Sequence, residues 1–343
     1  MRIALDAMGS DNCPEPEVCG AVEAARIFGD EITLIGPEDK LREILSDTSS
    51  ESLPVHIIHT TETITMHDKG RGLTSKARHK DSKTTMALGM DMLKSGNADV
   101  FITAGNTGGA LATAYFRLGM IPGVKRPAIT VLFPVKGGRC AVLDIGANPN
   151  CKPEHLLQFA IMGSIYANKV LDIQNPRVGL ISNGEEAGKG NDLVKDTYPI
   201  LEASGLNFIG NLEGKEIFGG EADVAVTDGF TGNVVLKTSE AVAKMFSDIL
   251  RQELMSSLRT KIGAKLAMPA FDNLKKILDP SEVGAAPLLG IDGLVFIGHG
   301  RSDTHSIVSA IRSARQAVKA NLINALNSAI SKRIEFLYDQ ENK

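Results

Sequence analysis

One lysine stands inside a loop of glycines and acids, Gly184-Glu185-Glu186-Ala187-Gly188-Lys189-Gly190-Asn191. A cation set among exposed backbone N–H groups suits an anion such as phosphate. Two further loops echo each other. Residues 98–109 read ADVFITAGNTGG and residues 222–233 read ADVAVTDGFTGN, identical at seven of twelve positions. Both follow a strand, tight turn, helix grammar, in which Gly supplies unusual φ and Thr or Asn caps the next helix. Turns of this kind also present N–H groups at a helix N-terminus, where anions bind. Two readings stay open: shared turn grammar alone, or two similar backbone cradles facing one cleft. In the second, Asn106 and Asn233 are donors to phosphate or to an oxyanion, and Asp228 orients Lys189 or Asn233. In the first, all three are helix caps.

The commoner nucleotide and hydrolase signatures are missing. No G-x-G-x-x-G occurs in these loops, and Lys189 is followed by Gly190 with Asn183 where a Walker loop needs its first Gly. There is no H-E-x-x-H and no G-x-S-x-G. Cys13, Cys19, Cys140 and Cys151 form no C-x-x-C pair, and the seven histidines do not cluster at ligand spacing. No metal and no cofactor are expected, and scattered thiols fit a reduced, cytosolic protein. The net charge of −4 argues against a bulk nucleic-acid binder.

These loops sit at the ends of apolar runs. Ile3-Ala4-Leu5, Val100-Phe101-Ile102, Ala141-Val142-Leu143, Val178-Gly179-Leu180-Ile181, Val224-Ala225-Val226 and Leu294-Val295-Phe296-Ile297 each run into Gly, Asn, Asp or Ser. Strands this apolar are covered on both faces, as in a parallel α/β sheet. Ligands bind at the carboxyl ends of such strands. Between them, 14–28, 38–45 and 84–94 read as helices, 32–36 and 55–58 as strands, and 60–82 as a long polar loop. No signal peptide or 18-residue apolar span is read. With 343 residues, aromatics at 5% and no Trp, the core is aliphatic.

Two segments concern partners. Lys69, Arg71, Lys76, Arg78, Lys80 and Lys83 face the single acid Asp81 over 69–83. This is a solvated loop or a landing strip for an acidic carrier. Over 239–278, Val242, Met245, Phe246, Ile249, Leu250, Leu254, Leu258 and Ile262 recur at helical spacing, with Arg259, Lys261 and Lys265 beside them. That amphipathic segment serves a dimer partner or an anionic membrane surface. Gly263 and Pro269 are expected to break its helix and leave a tip near Leu266-Ala267-Met268.

The loops together resemble those of the bacterial phosphate acyltransferase family. The resemblance rests on Leu5-Asp6-Ala7-Met8-Gly9-Ser10-Asp11, Thr103 to Gly108, Asp144-Ile145-Gly146-Ala147-Asn148, Gly184-Glu185-Glu186 with Lys189-Gly190, Asp228 to Asn233, Gly284 to Gly290, and His299-Gly300-Arg301-Ser302. It is collinear over roughly residues 1–315. Ser10 stands where the family has Gly, Cys13 where Ala is usual, Ala285 for a Gly, and Ser182-Asn183 for an Asn plus aliphatic pair. The resemblance implies an α/β fold with three layers, a mostly parallel sheet and two lobes around a cleft, similar to phosphotransacetylase and to isocitrate and isopropylmalate dehydrogenases. The whole chain, 1–343, is then one catalytic domain. It also implies acyl transfer from acyl-carrier protein to inorganic phosphate, a homodimer, a role in phospholipid synthesis, and delivery of acyl phosphate to a membrane glycerol-3-phosphate acyltransferase. The candidate catalytic residues are Lys189, Asn233 and Asp228. The candidate substrate-binding residues are Asp6, Gly9, Gly105, Asn106, Thr107, Gly108, Asn148, Glu185, Gly229, Thr231, Gly232, His299 and Ser302.

The chemistry suits these residues. A thioester is already activated and phosphate is already an oxyanion, so no covalent nucleophile is required. Binding both in a reactive pose supplies about 7–11 kcal/mol of barrier reduction. His299 is read as a binding or structural residue more than an acid, since a thiolate leaves unaided. The alternatives are a short-chain phosphotransacetylase using acyl-CoA, a metal- and NAD-dependent dehydrogenase, and a non-catalytic binding module.

Overall fold

The computed structural model describes residues 1–341; residues 342 and 343, the end of the expected 1–343 domain, lie outside the described residues. Eleven strands form one sheet. They are β1 (Arg2–Asp6), β2 (Glu31–Gly36), β3 (Val55–His59), β4 (Val100–Thr103), β5 (Ala128–Val135), β6 (Gly138–Leu143), β7 (Val178–Ile181), β8 (Phe208–Leu212), β9 (Val224–Val226), β10 (Ala285–Leu289) and β11 (Val295–Gly298). The helices are α1 (Glu15–Phe28), α2 (Glu38–Ser46), α3 (Gly70–Arg78), α4 (Thr85–Lys94), α5 (Thr107–Arg117), α6 (Pro153–Val170), α7 (Asp192–Glu202), α8 (Gly214–Gly219), α9 (Gly229–Leu254), α10 (Leu258–Leu278), α11 (Thr304–Lys319) and α12 (Leu322–Glu341).

The strand order is β3-β2-β1-β4-β11-β10-β5-β6-β9-β7-β8. Two parallel blocks result. The first is β3-β2-β1-β4-β11. The second is β6-β9-β7-β8. Between them β10 pairs antiparallel with β11 and β5, and β5 antiparallel with β6. Three antiparallel steps in a row reverse the direction, so the second block runs opposite to the first.

The core divides by sheet face, not by block. Side chains alternate along each strand. Ile3, Leu5, Ile102, Leu143, Leu180 and Val224 point to one face, beneath α1, α6, α11 and α12. Ala4, Phe101, Val142, Ile181 and Ala225 point to the other, beneath α4, α5 and α8. This is a three-layer arrangement with a sheet covered on both sides, as the unbroken apolar runs require. All six of those runs are strands.

Two expectations need correction. Residues 60–82 are not one loop, because α3 spans Gly70–Arg78. Its Leu73 and Ala77 are buried four residues apart among polar neighbours, a weak apolar stripe that the surrounding Lys, Arg and Thr obscure. Nor do Gly263 and Pro269 break the second helix of the amphipathic segment. α10 continues through both. An exposed helix tolerates the N–H that Pro removes, because water satisfies the orphaned carbonyl. The turn of this hairpin therefore lies at 255–257, and Leu266-Ala267-Met268 lie within α10. Along α9 the buried residues among those described are Gly229 and Gly232, while Leu258 and Leu266 of α10 are each 80% exposed.

Candidate active site

Each parallel block gathers three loops at its carboxyl edge. In the first, β1, β4 and β11 are neighbours, so loops 6–11, 103–109 and 298–302 lie side by side. Asp6 is buried at the end of β1. Its Oδ2 accepts the Thr103 hydroxyl at 2.8 Å, and its Oδ1 accepts the Met8 N–H at 3.1 Å. Burial pushes this carboxyl above its ordinary range against those bonds. Gly9 must be glycine, since a Cβ there would fall 2.8 Å from the Gly105 nitrogen. Next, the Asp11 N–H donates to Gly300 O at 2.7 Å. Ser302 is buried, and its hydroxyl donates to His299 O at 2.6 Å. His299 is exposed, and its Nδ1 accepts the Arg301 N–H at 3.1 Å.

Asn106 caps α5, accepting the Gly109 N–H at 3.0 Å. Its amide donates to Thr65 O at 3.0 Å and Asp68 O at 3.1 Å. Both amide hydrogens and the carbonyl are thus engaged with backbone. Thr107 and Gly108, the first residues of α5, are exposed. Their N–H groups have no partner within the helix.

In the second block β6, β9 and β7 are neighbours, which aligns loops 144–148, 227–233 and 182–191. Asp144 organises them. Its Oδ1 accepts N–H groups of Ile129 at 3.1 Å, Gly146 at 3.3 Å and Ala147 at 3.1 Å. Its Oδ2 accepts Asn148 N–H at 2.7 Å and Asn148 Nδ2 at 2.9 Å. Even so, burial raises its pKa. Asn148 is buried, and its Nδ2 also donates to Pro127 O at 2.6 Å. Gly229 and Gly232 allow α9 to start against this loop: the Gly229 N–H donates to Asn148 O at 2.8 Å, and a Cβ at Gly232 would collide with the Asp144 carbonyl.

Asp228 is the N-cap of α9. Its Oδ1 accepts Phe230 and Thr231 N–H groups, each at 2.9 Å, and its Oδ2 accepts the Thr231 hydroxyl at 2.8 Å. It pairs with neither Lys189 nor Asn233. Asn233 is exposed and anchored by one bond, Nδ2 to Ile145 O at 3.1 Å. Lys189 is exposed, and its ammonium has no ion pair among the described residues. Its stem lies over Gly184, where a Cβ would come within 2.7 Å of the Lys189 Cγ. Glu185 is held by Lys215 at 2.6 Å, and Glu213 and Glu216 converge on the same ammonium.

The two loop groups are not joined to each other. No hydrogen bond or ion pair among the described residues links Asp6, Gly9, Gly105, Asn106, His299 or Ser302 to Asn148, Glu185, Lys189, Asp228 or Asn233. β4 and β9 lie five strands apart and point oppositely, about 24 Å across the sheet at ~4.8 Å per strand. Sequence reasoning quoted Asp144 within a motif but did not single it out. Its signal was an acid closing a strand and followed by Gly and Asn, a donor-rich turn.

The comparisons with known proteins now decide the family. A family model described as "Fatty acid synthesis protein" matches residues 1–325. A phosphate acyltransferase from Acidobacterium capsulatum is 44% identical over 327 residues, covering 95% of this chain and 96% of that one. Another, from Geobacter sulfurreducens, is 44% identical over 335 residues, covering 98% and 94%.

The chain belongs to the phosphate acyltransferase family.

It is an acyltransferase. Among solved structures, a phosphotransacetylase from Streptococcus pyogenes superposes with a TM-score of 0.59 at 17% identity, over 96% of this chain and 94% of that one. One from Staphylococcus aureus gives 0.57 at 14% identity, over 93% and 94%. Both share the fold. No helix among the described residues is long and apolar enough to cross a membrane.

Proposed function

We propose that this phosphate acyltransferase moves a long-chain fatty acyl group from acyl-carrier protein to inorganic phosphate, giving acyl phosphate for phospholipid synthesis. The observation that carries the reading is Lys189, an unpaired ammonium on a glycine loop beside the α9 N-terminus and Asn233. An ammonium that no carboxylate neutralises favours a dianion.

The reaction balances without further help. A phosphate oxygen attacks the thioester carbonyl carbon, a C–O bond forms, and the C–S bond breaks. The proton of hydrogen phosphate ends on the departing thiolate. A thiol with a pKa near ~8.5 needs no strong acid to leave. What the protein supplies is position and charge. Lys189 would hold phosphate, and the second amide hydrogen of Asn233, the first being given to Ile145 O, would meet the tetrahedral oxyanion. One such donor is worth about 10²–10³ in rate.

The remaining partners rest on α9 and α10. Val242, Met245, Phe246, Ile249, Leu258 and Ile262 are exposed along this hairpin. A contiguous apolar face of this extent marks a partner or a membrane. Homodimer packing and an anionic membrane surface are the two occupants, and the second would bring acyl phosphate to a membrane glycerol-3-phosphate acyltransferase. The Leu258→Glu and Leu266→Glu variants separate them. Membrane contact predicts lost sedimentation with anionic vesicles at unchanged mass, and dimer packing predicts monomers.

The donor is tested by mixing pure protein and phosphate with long-chain acyl-carrier protein, or instead with short-chain acyl-CoA. Acyl phosphate, trapped as its hydroxamate, and free carrier thiol should appear with the first. Turnover of acyl-CoA alone would favour the phosphotransacetylase reading instead.

A further inference from the structure

The cations of 69–83 form a built surface. α3 packs on α5, and Arg117 at the end of α5 ties down the loop that follows α3. Its Nη2 donates to His79 O at 2.9 Å and Ser82 O at 3.0 Å, while its Nη1 pairs with Asp91 at 2.8 Å. Lys94 Nζ in turn donates to Arg117 O at 2.7 Å. Beside this anchored loop, Tyr115 is 54% exposed and Phe116 40%. Their rings meet edge to face at 5.4 Å, and the Arg78 guanidinium lies 6.0 Å from the Phe116 centroid.

The cations are not equivalent. Lys76 is paired with Asp68 at 2.9 Å and is used within the fold. Lys69, Arg71, Arg78, Lys80 and Lys83 are exposed and have no ion pair among the described residues. The face is therefore a fixed aromatic pair rimmed by free positive charge. Aromatic residues and Arg are the side chains that anchor protein interfaces. A rim of one sign selects a partner of the other and speeds encounter.

Position narrows the occupant. Tyr115 and Phe116 lie at the far end of the helix whose first residues are Thr107 and Gly108, about 12 Å away at ~1.5 Å per residue. A membrane needs a wider apolar area, and α9 with α10 offers that elsewhere on the chain.

We propose that the α3–α5 face, through Tyr115, Phe116, Arg71, Arg78, Lys80 and Lys83, docks the acyl-carrier protein through a negatively charged surface of the carrier. This rests on the donor proposed above.

Two variants test it: Tyr115→Ala with Phe116→Ala, and Arg71→Glu with Lys80→Glu and Lys83→Glu. Each should raise KM for long-chain acyl-carrier protein at least tenfold and leave kcat and KM for phosphate unchanged. Turnover of the same acyl group presented as acyl-CoA, which has no carrier to dock, should not move. The charge variant should also flatten the salt dependence of KM, and Arg71→Lys should restore most of it. Wild-type enzyme that ignores acyl-carrier protein removes the donor reading, and this docking with it. Wild-type turnover with unchanged KM in both variants removes the docking alone. Equal loss on carrier and acyl-CoA, a fall to monomers, or lost binding to phosphatidylglycerol vesicles with KM intact would give the face to the site, a second copy or a membrane, and each overturns the proposal.

Discussion

The two sequence echoes, 98–109 and 222–233, fold into turns that differ in what they leave free. In the first, the cap of α5 is Asn106, and its whole amide is bonded to the backbone of Gly109, Thr65 and Asp68. In the second, the cap of α9 falls two residues earlier, on Asp228. The position matching Asn106 is then Phe230, 66% exposed, and Asn233 remains open with one bond. The Asn106 side chain of the first turn is held by Thr65 and Asp68, on the segment leading into α3. The second sits beside an unpaired lysine. Identical glycines and threonines thus fix the turn, while one shifted cap decides whether its neighbours are structural or available.

The largest effect expected concerns the acid behind each turn. Asp144→Ala would strand five donors, in contrast to the fewer bonds at Asp6. A buried donor left unpaired costs ~1–3 kcal/mol, so with partial rescue by water a loss of about 4 kcal/mol is expected, and about half that for Asp6→Ala. Urea unfolding of both variants checks the order. Equal losses would mean that the two blocks are held alike.

Lys189→Ala sharpens the contrast from the side of chemistry. An exposed side chain without an ion pair carries little stability, so the melting temperature should stay within a degree or two. Turnover at saturating phosphate should fall on the order of 10²-fold, as for one lost oxyanion partner. Near-normal turnover would leave the second turn without its cation.

How far this was legible in the sequence follows from which interactions are local. The six apolar runs are strands because a strand covered on both faces needs only its own residues to show it. Gly9, Gly229 and Gly232 came instead from the family resemblance, because the atoms that leave no room for a Cβ there belong to Gly105, Asn148 and Asp144, remote in sequence. The reversal of direction between β11 and β6 was not legible. It depends on β10, which arrives from residues 285–289 to pair between β11 and β5. Hence the expectation of cradles facing one cleft could not be derived from the echo itself. The engagement of Asn106 was hidden likewise, because its partners Thr65 and Asp68 lie about forty residues away in sequence. α3 was missed because its two buried residues stand among cations and Gly.

A smaller effect, confined to the first block, comes from Glu17. It is 0% exposed on α1, its Oε1 accepts the Ser10 N–H at 2.8 Å, and its Oε2 has no partner. Burial pushes its carboxyl up to about 7, whereas the ordinary value is 4.5. The folded chain therefore binds more protons than the unfolded one between those values, and stability falls as pH rises through that window. Glu17→Gln removes the charge and keeps the acceptor. At pH 8 the variant should be more stable by about 1–3 kcal/mol, since a tenfold change in proton affinity is worth about 1.4 kcal/mol. The difference should vanish near pH 4.5. A constant difference across pH, followed by chemical denaturation, would mean that the carboxyl is neutral or solvated throughout.

The central comparison is tested most directly by measuring kcat and unfolding free energy together for Asn106→Ala and Asn233→Ala. Asn106→Ala should lose the ~1 kcal/mol typical of a helix cap and keep its kcat. Asn233→Ala should keep its stability and lose kcat by the 10²-fold order of a missing donor. The reverse pattern, with Asn106 controlling turnover and Asn233 only stability, would contradict the assignment of chemistry to the second turn.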